Sequence, residues 1–355
     1  MTAITAFCTQ SSVVVVAGKG GVGKSTLSAT VARLAARNGV SVLLVELEGG
    51  SGPSAAFGHH VLTTDEVELS SGRTGDRGAQ SAPIRARTIT PDDALVEYLV
   101  DHGFGRAARR LAKSGLLDVA ATAIPGLRDI LVLGKIVQLE RAHTADLIVV
   151  DGPAAGHATT FLSSAQGLLD SSRAGPIHAQ AADVVELLSD PARCQVVLVT
   201  MAEETPVNET VETARTLEDR VGMHLGPVVV NCLYPLLEHL DADPEAAAAA
   251  AGVTLRPGEA DAIGTAAAFR RRRQEMQAEQ ATRLAEALPL PQLWIPHLFA
   301  AEIGLPEIDL LVDAMETGLV HLREPAGRAG WTGPSKLAPG IRVPGSAAAG
   351  TGASW

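Results

Sequence analysis

Residues 18 to 25 read Gly18-Lys19-Gly20-Gly21-Val22-Gly23-Lys24-Ser25, two ammonium groups and a hydroxyl on a backbone whose glycines can turn N–H groups toward one point. An apolar run at 13–17 precedes this octapeptide and a helix-compatible stretch at 25–37 follows it, so the expected context is strand, tight turn, helix. The chemistry is that of a polyphosphate cradle. The N–H groups of Gly20, Gly21, Val22 and Gly23 would surround an anion that the positive end of the next helix also attracts. Lys24 is then expected to reach the β- and γ-phosphates of a nucleoside triphosphate, Ser25 to ligate the bridging Mg2+, and Thr26 to approach the α-phosphate.

A rival spacing overlaps the first. Gly18, Gly20 and Gly23 also satisfy G-x-G-x-x-G, and Glu46 ends the next strand where a dinucleotide fold holds its ribose. Lys24-Ser25 directly after the third glycine favours the triphosphate, because a dinucleotide needs neither group. Further along, the apolar run 147–150 ends at Asp151, followed by Gly152-Pro153-Ala154-Ala155-Gly156-His157. A carboxylate at the end of a buried strand can hold a metal-bound water beside a loop that moves when the γ-phosphate leaves; it can also serve as a helix cap.

These groups need a scaffold that brings strand ends together. Strands expected near 13–17, 42–47, 84–89, 147–151, 196–200, 226–231 and 292–296 alternate with helical stretches, which predicts an α/β doubly wound, mainly parallel sheet with the site at its carboxyl edge. Residues 12–324 are expected to form one domain with helical insertions at about 91–143 and 240–288. Residues 63–82, rich in Ser, Gly, Thr and Asp, read as a mobile loop, and 325–355 as a disordered Gly/Ala/Pro-rich tail.

Composition narrows the function classes. With 46% hydrophobic but 3% aromatic residues, the core should be built of Ala, Val and Leu, and five methionines leave no Met-rich groove for apolar clients. Three scattered cysteines, Cys8, Cys194 and Cys232, suit a reducing compartment and form no zinc clasp; His59-His60 has no metal spacing. A net charge of −11 argues against a nucleic-acid partner. There is no apolar stretch of the roughly eighteen residues a membrane span requires, nor a basic leader in 1–12, so a cytoplasmic protein without membrane insertion is expected. The four arginines 270–273 read either as a solvated helix face or as a contact for an acidic partner.

Lys19 at the second position of the loop resembles the deviant phosphate-loop ATPases. Gly156-His157 with Phe161-Leu162, Glu209-Thr210 and Asn231 narrow the resemblance to the arsenite-pump and tail-anchored-protein-targeting branch. The form is similar to paralogues of high-GC Gram-positive bacteria, which carry Val-Glu-x-Glu-Gly and the Pro-Gly-Leu-Arg-Asp segment seen here at 125–129. The resemblance implies an ATPase whose Lys19 contacts nucleotide across a dimer, with Asn231 on the adenine edge and Pro296 covering the base. It implies as catalytic groups Lys19, Lys24, Asp151 and Glu48, the last aligned with the branch's water-positioning aspartate. Glu48 is one methylene longer, and Ala155 replaces the branch's threonine. The partner is then a second copy or a paralogous subunit, with an unknown client or membrane protein. Slow Mg-ATP hydrolysis is the expected activity, the alternatives being a catalytically weak scaffold subunit in a heterodimer, or a partition or septum-site ATPase, which the charge disfavours.

Overall fold

Strand β1 (Val13–Gly18) is buried at all six positions, as a strand covered on both faces must be. In the computed structural model, which describes residues 2–47, 52–72, 81–101 and 126–322, seven further strands join it. They are β2 (Val42–Leu47), β3 (Val67–Ser70), β4 (Ile84–Ile89), β5 (Leu147–Ala154), β6 (Cys194–Met201), β7 (Val228–Leu233) and β8 (Gln292–Pro296). Their order is β3-β4-β2-β5-β1-β6-β7-β8, all parallel except for β3 against β4.

The period of two along each strand divides the core in two. Val13, Val15 and Ala17 of β1 join Leu43, Val45, Ile148, Val150, Val196 and Leu198 on one face. Helices α4 (Leu127–Arg141), α5 (Ala155–Ser171), α6 (Pro176–Ser189) and α7 (Glu204–Val221) cover that face. Val14 and Val16 join Leu44, Val149, Val197 and Val229 on the other. There the cover is α1 (Ala3–Thr9), α2 (Lys24–Arg37) and α10 (Leu305–His321). Among the described residues the remaining α-helices are α3 (Pro91–Asp101), α8 (Pro244–Ala250) and α9 (Glu259–Ala287); α9 buries only Gln277, Ala281 and Leu284.

The expected doubly wound sheet is therefore present, with differences that have local causes. The stretch 63–82 is not all loop: Val67–Ser70 pairs antiparallel with β4, its alternating Val67 and Leu69 being enough for an edge strand. The strand expected at 226–231 begins at Val228, because Pro227 has no N–H to give the ladder, and runs on to Leu233. Helix α1 lies ahead of residue 12 and is packed into the core through Phe7 and Cys8. Of the expected insertions, α3 and α4 lie in the first and α8 and α9 in the second. Residues 102–125 and the tail from 323 lie outside the described residues. Among the described residues no helix is long and apolar enough to cross a membrane.

Candidate nucleotide site

β1 ends at Gly18 and α2 starts at Lys24, so the octapeptide spans the turn between the central strand and its helix. Positive φ is confined to Gly21 (82°) and Gly23 (96°); Gly18 and Gly20 do not need it. Gly23 caps α2 in the left-handed region, and a Cβ there would stand 2.3 Å from Asn231 Nδ2. Lys24 opens the helix, and its Nζ donates to the Lys19 carbonyl at 3.2 Å across the loop. Gly20 and Gly21 are exposed, which leaves the mouth of the cradle open, while Val22 is buried beneath it.

Asp151 stands in register with Val16 of β1 and Glu46 of β2, because β5 lies between those strands. Two hydroxyls from the first two turns of α2 donate to it: Ser25 Oγ to Oδ2 at 2.7 Å and Ser28 Oγ to Oδ1 at 2.9 Å. Burial pushes the Asp151 carboxyl up, opposed by the Ser25 and Ser28 hydrogen bonds and by Lys24, while Glu46 adds to the rise. Burial likewise pulls the Lys24 ammonium down, and Asp151 pushes it back. Ser28 was not singled out in the sequence, although a hydroxyl one turn after Ser25 was the available signal. Glu46 is 8% exposed and accepts the Ser54 N–H at 2.8 Å. It is thus drawn in toward the Asp151 side of the sheet, not held out to a ribose. The strand order also opposes the dinucleotide reading, since that fold sets its second strand directly beside the first.

The remaining predicted residues divide by position. Lys19 is turned away from its own cradle, its Nζ donating to Glu209 Oε1 of α7 at 2.5 Å. Asn231 is buried and braces the loop: Nδ2 donates to the Val22 carbonyl at 2.9 Å, and Oδ1 accepts the Cys232 N–H at 2.8 Å. The amide keeps a second N–H and a second lone pair, so bracing does not exhaust it. Pro296 is buried at the end of β8, paired with Leu233, and His297 N–H donates to the Leu233 carbonyl. Thr26 is half-buried in the first turn of α2, with its carbonyl taking the Thr30 hydroxyl. Glu48 lies outside the described residues. Among the described residues no group of three or more His, Cys, Asp or Glu could hold a metal. The oxygen pair Ser25–Asp151 suits a hard cation completed by phosphate and water, as Mg2+ prefers.

A glycine-rich turn between a central parallel strand and its helix, with a lysine, a hydroxyl and the Asp151 carboxylate of β5 converging on it, defines a phosphate-loop nucleotide-binding fold; β5 runs on to Ala154, so Asp151 lies within the strand and does not end it as expected. The chain belongs to the CobQ/CobB/MinD/ParA nucleotide-binding-domain family, which matches residues 13–288. It is 35% identical to the ATPase BagA of Mycobacterium tuberculosis over 302 residues, 79% of this chain and 86% of that protein. A Halobacterium salinarum protein named as an arsenical pump-driving ATPase is 26% identical over 314 residues, 82% of this chain and 42% of that one. ATPase GET3 of Pyricularia oryzae is 29% identical over 151 residues, 41% of each chain. Within the family, the likeness is to the arsenical-pump and GET3 branch.

Proposed function

We propose that the protein binds Mg-ATP and hydrolyses it slowly as a dimer, with closure of the two subunits moving the helices that flank the carboxyl edge of the sheet. The observation that carries this reading is the Ser25–Asp151–Ser28 cluster directly beneath the loop that Lys24 closes. Mg2+, when bound, neutralises charge that develops between the β- and γ-phosphates. In the chain itself, Ser25 and Asp151 would hold the ion and its water, Lys24 would meet the terminal phosphates, and backbone N–H groups from Gly20 to Gly23 would orient them. Asn231 would offer its free amide valences to the base while it braces Val22, and Pro296 would cover the base. Glu48 would position water.

The resting place of Lys19 supports the dimer. Held by Glu209, it does not complete its own site and is free for the facing subunit once released. The two side chains are 35% and 39% exposed, so the pair is worth on the order of 0.2–1 kcal/mol and yields readily to a polyphosphate. One alternative has its own support: a glutamate at 48 in place of the shorter aspartate favours a weak scaffold subunit that needs a paralogous partner. The test is Mg-ATP turnover across a protein concentration series, with solution mass followed in parallel and Lys19→Ala as control. Turnover per chain should rise with concentration and be lost in the variant. Tight ATP binding without turnover or dimerisation would leave the scaffold reading in its place.

A further inference from the structure

The arginine run 270–273 was read from sequence as one surface feature, and the helix splits it. Arg271 lies outward, in an exposed i,i+4 pair with Glu275. Arg270 and Arg273 face the sheet, on the same side of α9 as Gln274 and Gln277, the 3-4-7 spacing of a helical stripe. That stripe is bonded almost entirely to the five residues that follow and include Asn231. Arg270 Nη2 and Gln274 Nε2 donate to the Pro235 carbonyl at 2.7 and 3.0 Å. Gln277, 5% exposed, gives its Nε2 to the Cys232 carbonyl at 3.0 Å and takes the Tyr234 N–H at 2.9 Å. Arg273 pairs with Glu203, the residue that caps α7.

Ring contacts fasten the same segment to the end of β8. Tyr234 and Phe299 stack 3° from parallel with centroids 5.7 Å apart, and His297 stands edge-on to both. The Arg270 guanidinium lies 4.4 Å from the Tyr234 centroid and 5.4 Å from that of Phe299. A planar cation over two rings is a contact that lysine does not reproduce. The hydrogen bonds run without a break from α9 to the cradle: Gln277 to Cys232, Cys232 to Asn231, Asn231 to Val22. Cys232 holds φ at 58°, a strained value for a side-chain-bearing residue, so this segment is fixed by its neighbours.

The location decides what the seam senses. β7 is two strands from β1, about 10 Å at the usual strand spacing, which puts Asn231 to Pro235 on the far side of the cradle from Asp151. With Asn231 at the base, as proposed above, a nucleotide whose phosphates occupy the loop would extend its base, not its γ-phosphate, in that direction. We infer that Arg270 and Gln277 are positioning residues that tie α9 to the base side of the nucleotide site, so that α9 responds to the nucleoside itself, apart from any closure that the γ-phosphate drives. The inference rests on the nucleotide reading above and gives the arginine run its role in it.

Hydrogen exchange of the full chain tests it with two ligands, Mg-ADP and magnesium tripolyphosphate. Both should protect residues 18–25; only Mg-ADP should slow exchange across 270–281, by about fivefold or more, the low end of ordinary coupling between sites. In Arg270→Ala the loop should still be protected by Mg-ADP while the α9 response disappears, and Arg270→Lys should not restore it in full. Should truncation of Arg270 loosen the sheet, which the same data would reveal, Glu203→Gln weakens the seam from the α7 side and should reduce the response. An α9 response to tripolyphosphate equal to that for ADP, a response to neither, or a wild-type response in Arg270→Ala would overturn the inference. Failure of every ligand to protect 18–25 would instead remove the nucleotide reading, and the inference with it.

Discussion

Asp151 is the residue at which burial and chemistry oppose each other. Its folded-state pKa is raised, so its contribution to stability is present below the usual carboxylate range and lost as pH rises through the raised value. In its ionised form the group therefore costs stability until a cation meets it. Asp151→Asn should raise the melting temperature of the nucleotide-free protein at pH 7, by on the order of 2 °C, with a smaller gain at pH 4, and should abolish Mg-dependent turnover. A lower melting temperature at pH 7 would mean that the Ser25 and Ser28 hydrogen bonds outweigh burial. Lys19 poses a second residue-scale question, because Glu209 competes for it. Glu209→Gln should release it and lower the concentration at which ATP drives dimer formation, as read by solution mass; an unchanged midpoint would show that the pair does not restrain closure.

Among the elements, the start of α2 is the most constrained. Gly23 combines φ of 96° with a missing Cβ that makes room for Asn231. Gly23→Ala adds left-handed strain of about 1–2 kcal/mol to the displacement of that side chain. Urea unfolding should show a loss of at least that size, with nucleotide affinity falling in parallel; full stability would mean that the loop relaxes elsewhere. The strand–turn–helix at this position was legible because lysine, serine and glycine spacing has one structural use. The inward stripe of α9 was half legible. The arginine run itself stood out, but its division into an outward and an inward face, and the part of Gln274 and Gln277 in the latter, did not, because a polar stripe reads as solvated until its carbonyl acceptors at 232 and 235 are known. Val67–Ser70 was missed for a similar reason: four residues carry too little pattern to stand out from a polar stretch.

At the scale of the whole molecule, net charge bears on which partners to expect. A net charge of −11 weighs against general attraction for phosphate backbones or anionic lipid, and α9's inward arginines are committed to carbonyls, rings and Glu203. Duplex DNA and anionic liposomes are accordingly expected to leave Mg-ATP turnover unchanged at physiological salt. A stimulation of several-fold would return the partition or septum-site reading to first place.

The amino-acid sequence by itself determined the glycine turn and the alternation of strand and helix, and it marked Lys24, Ser25 and Asp151 as the candidate chemical groups, because each of these patterns depends on neighbours close along the chain. Only the tertiary structure decided the strand order. By inserting β5 between β1 and β2, it brings Asp151, 126 residues away from Ser25, under the first turn of α2, and it buries Glu46 alongside. It also decided that Lys19 rests on Glu209 and that Asn231 braces Val22, contacts across 190 and 209 residues. Pairings at such separations follow from which strands lie side by side, and local pattern carries no record of that order.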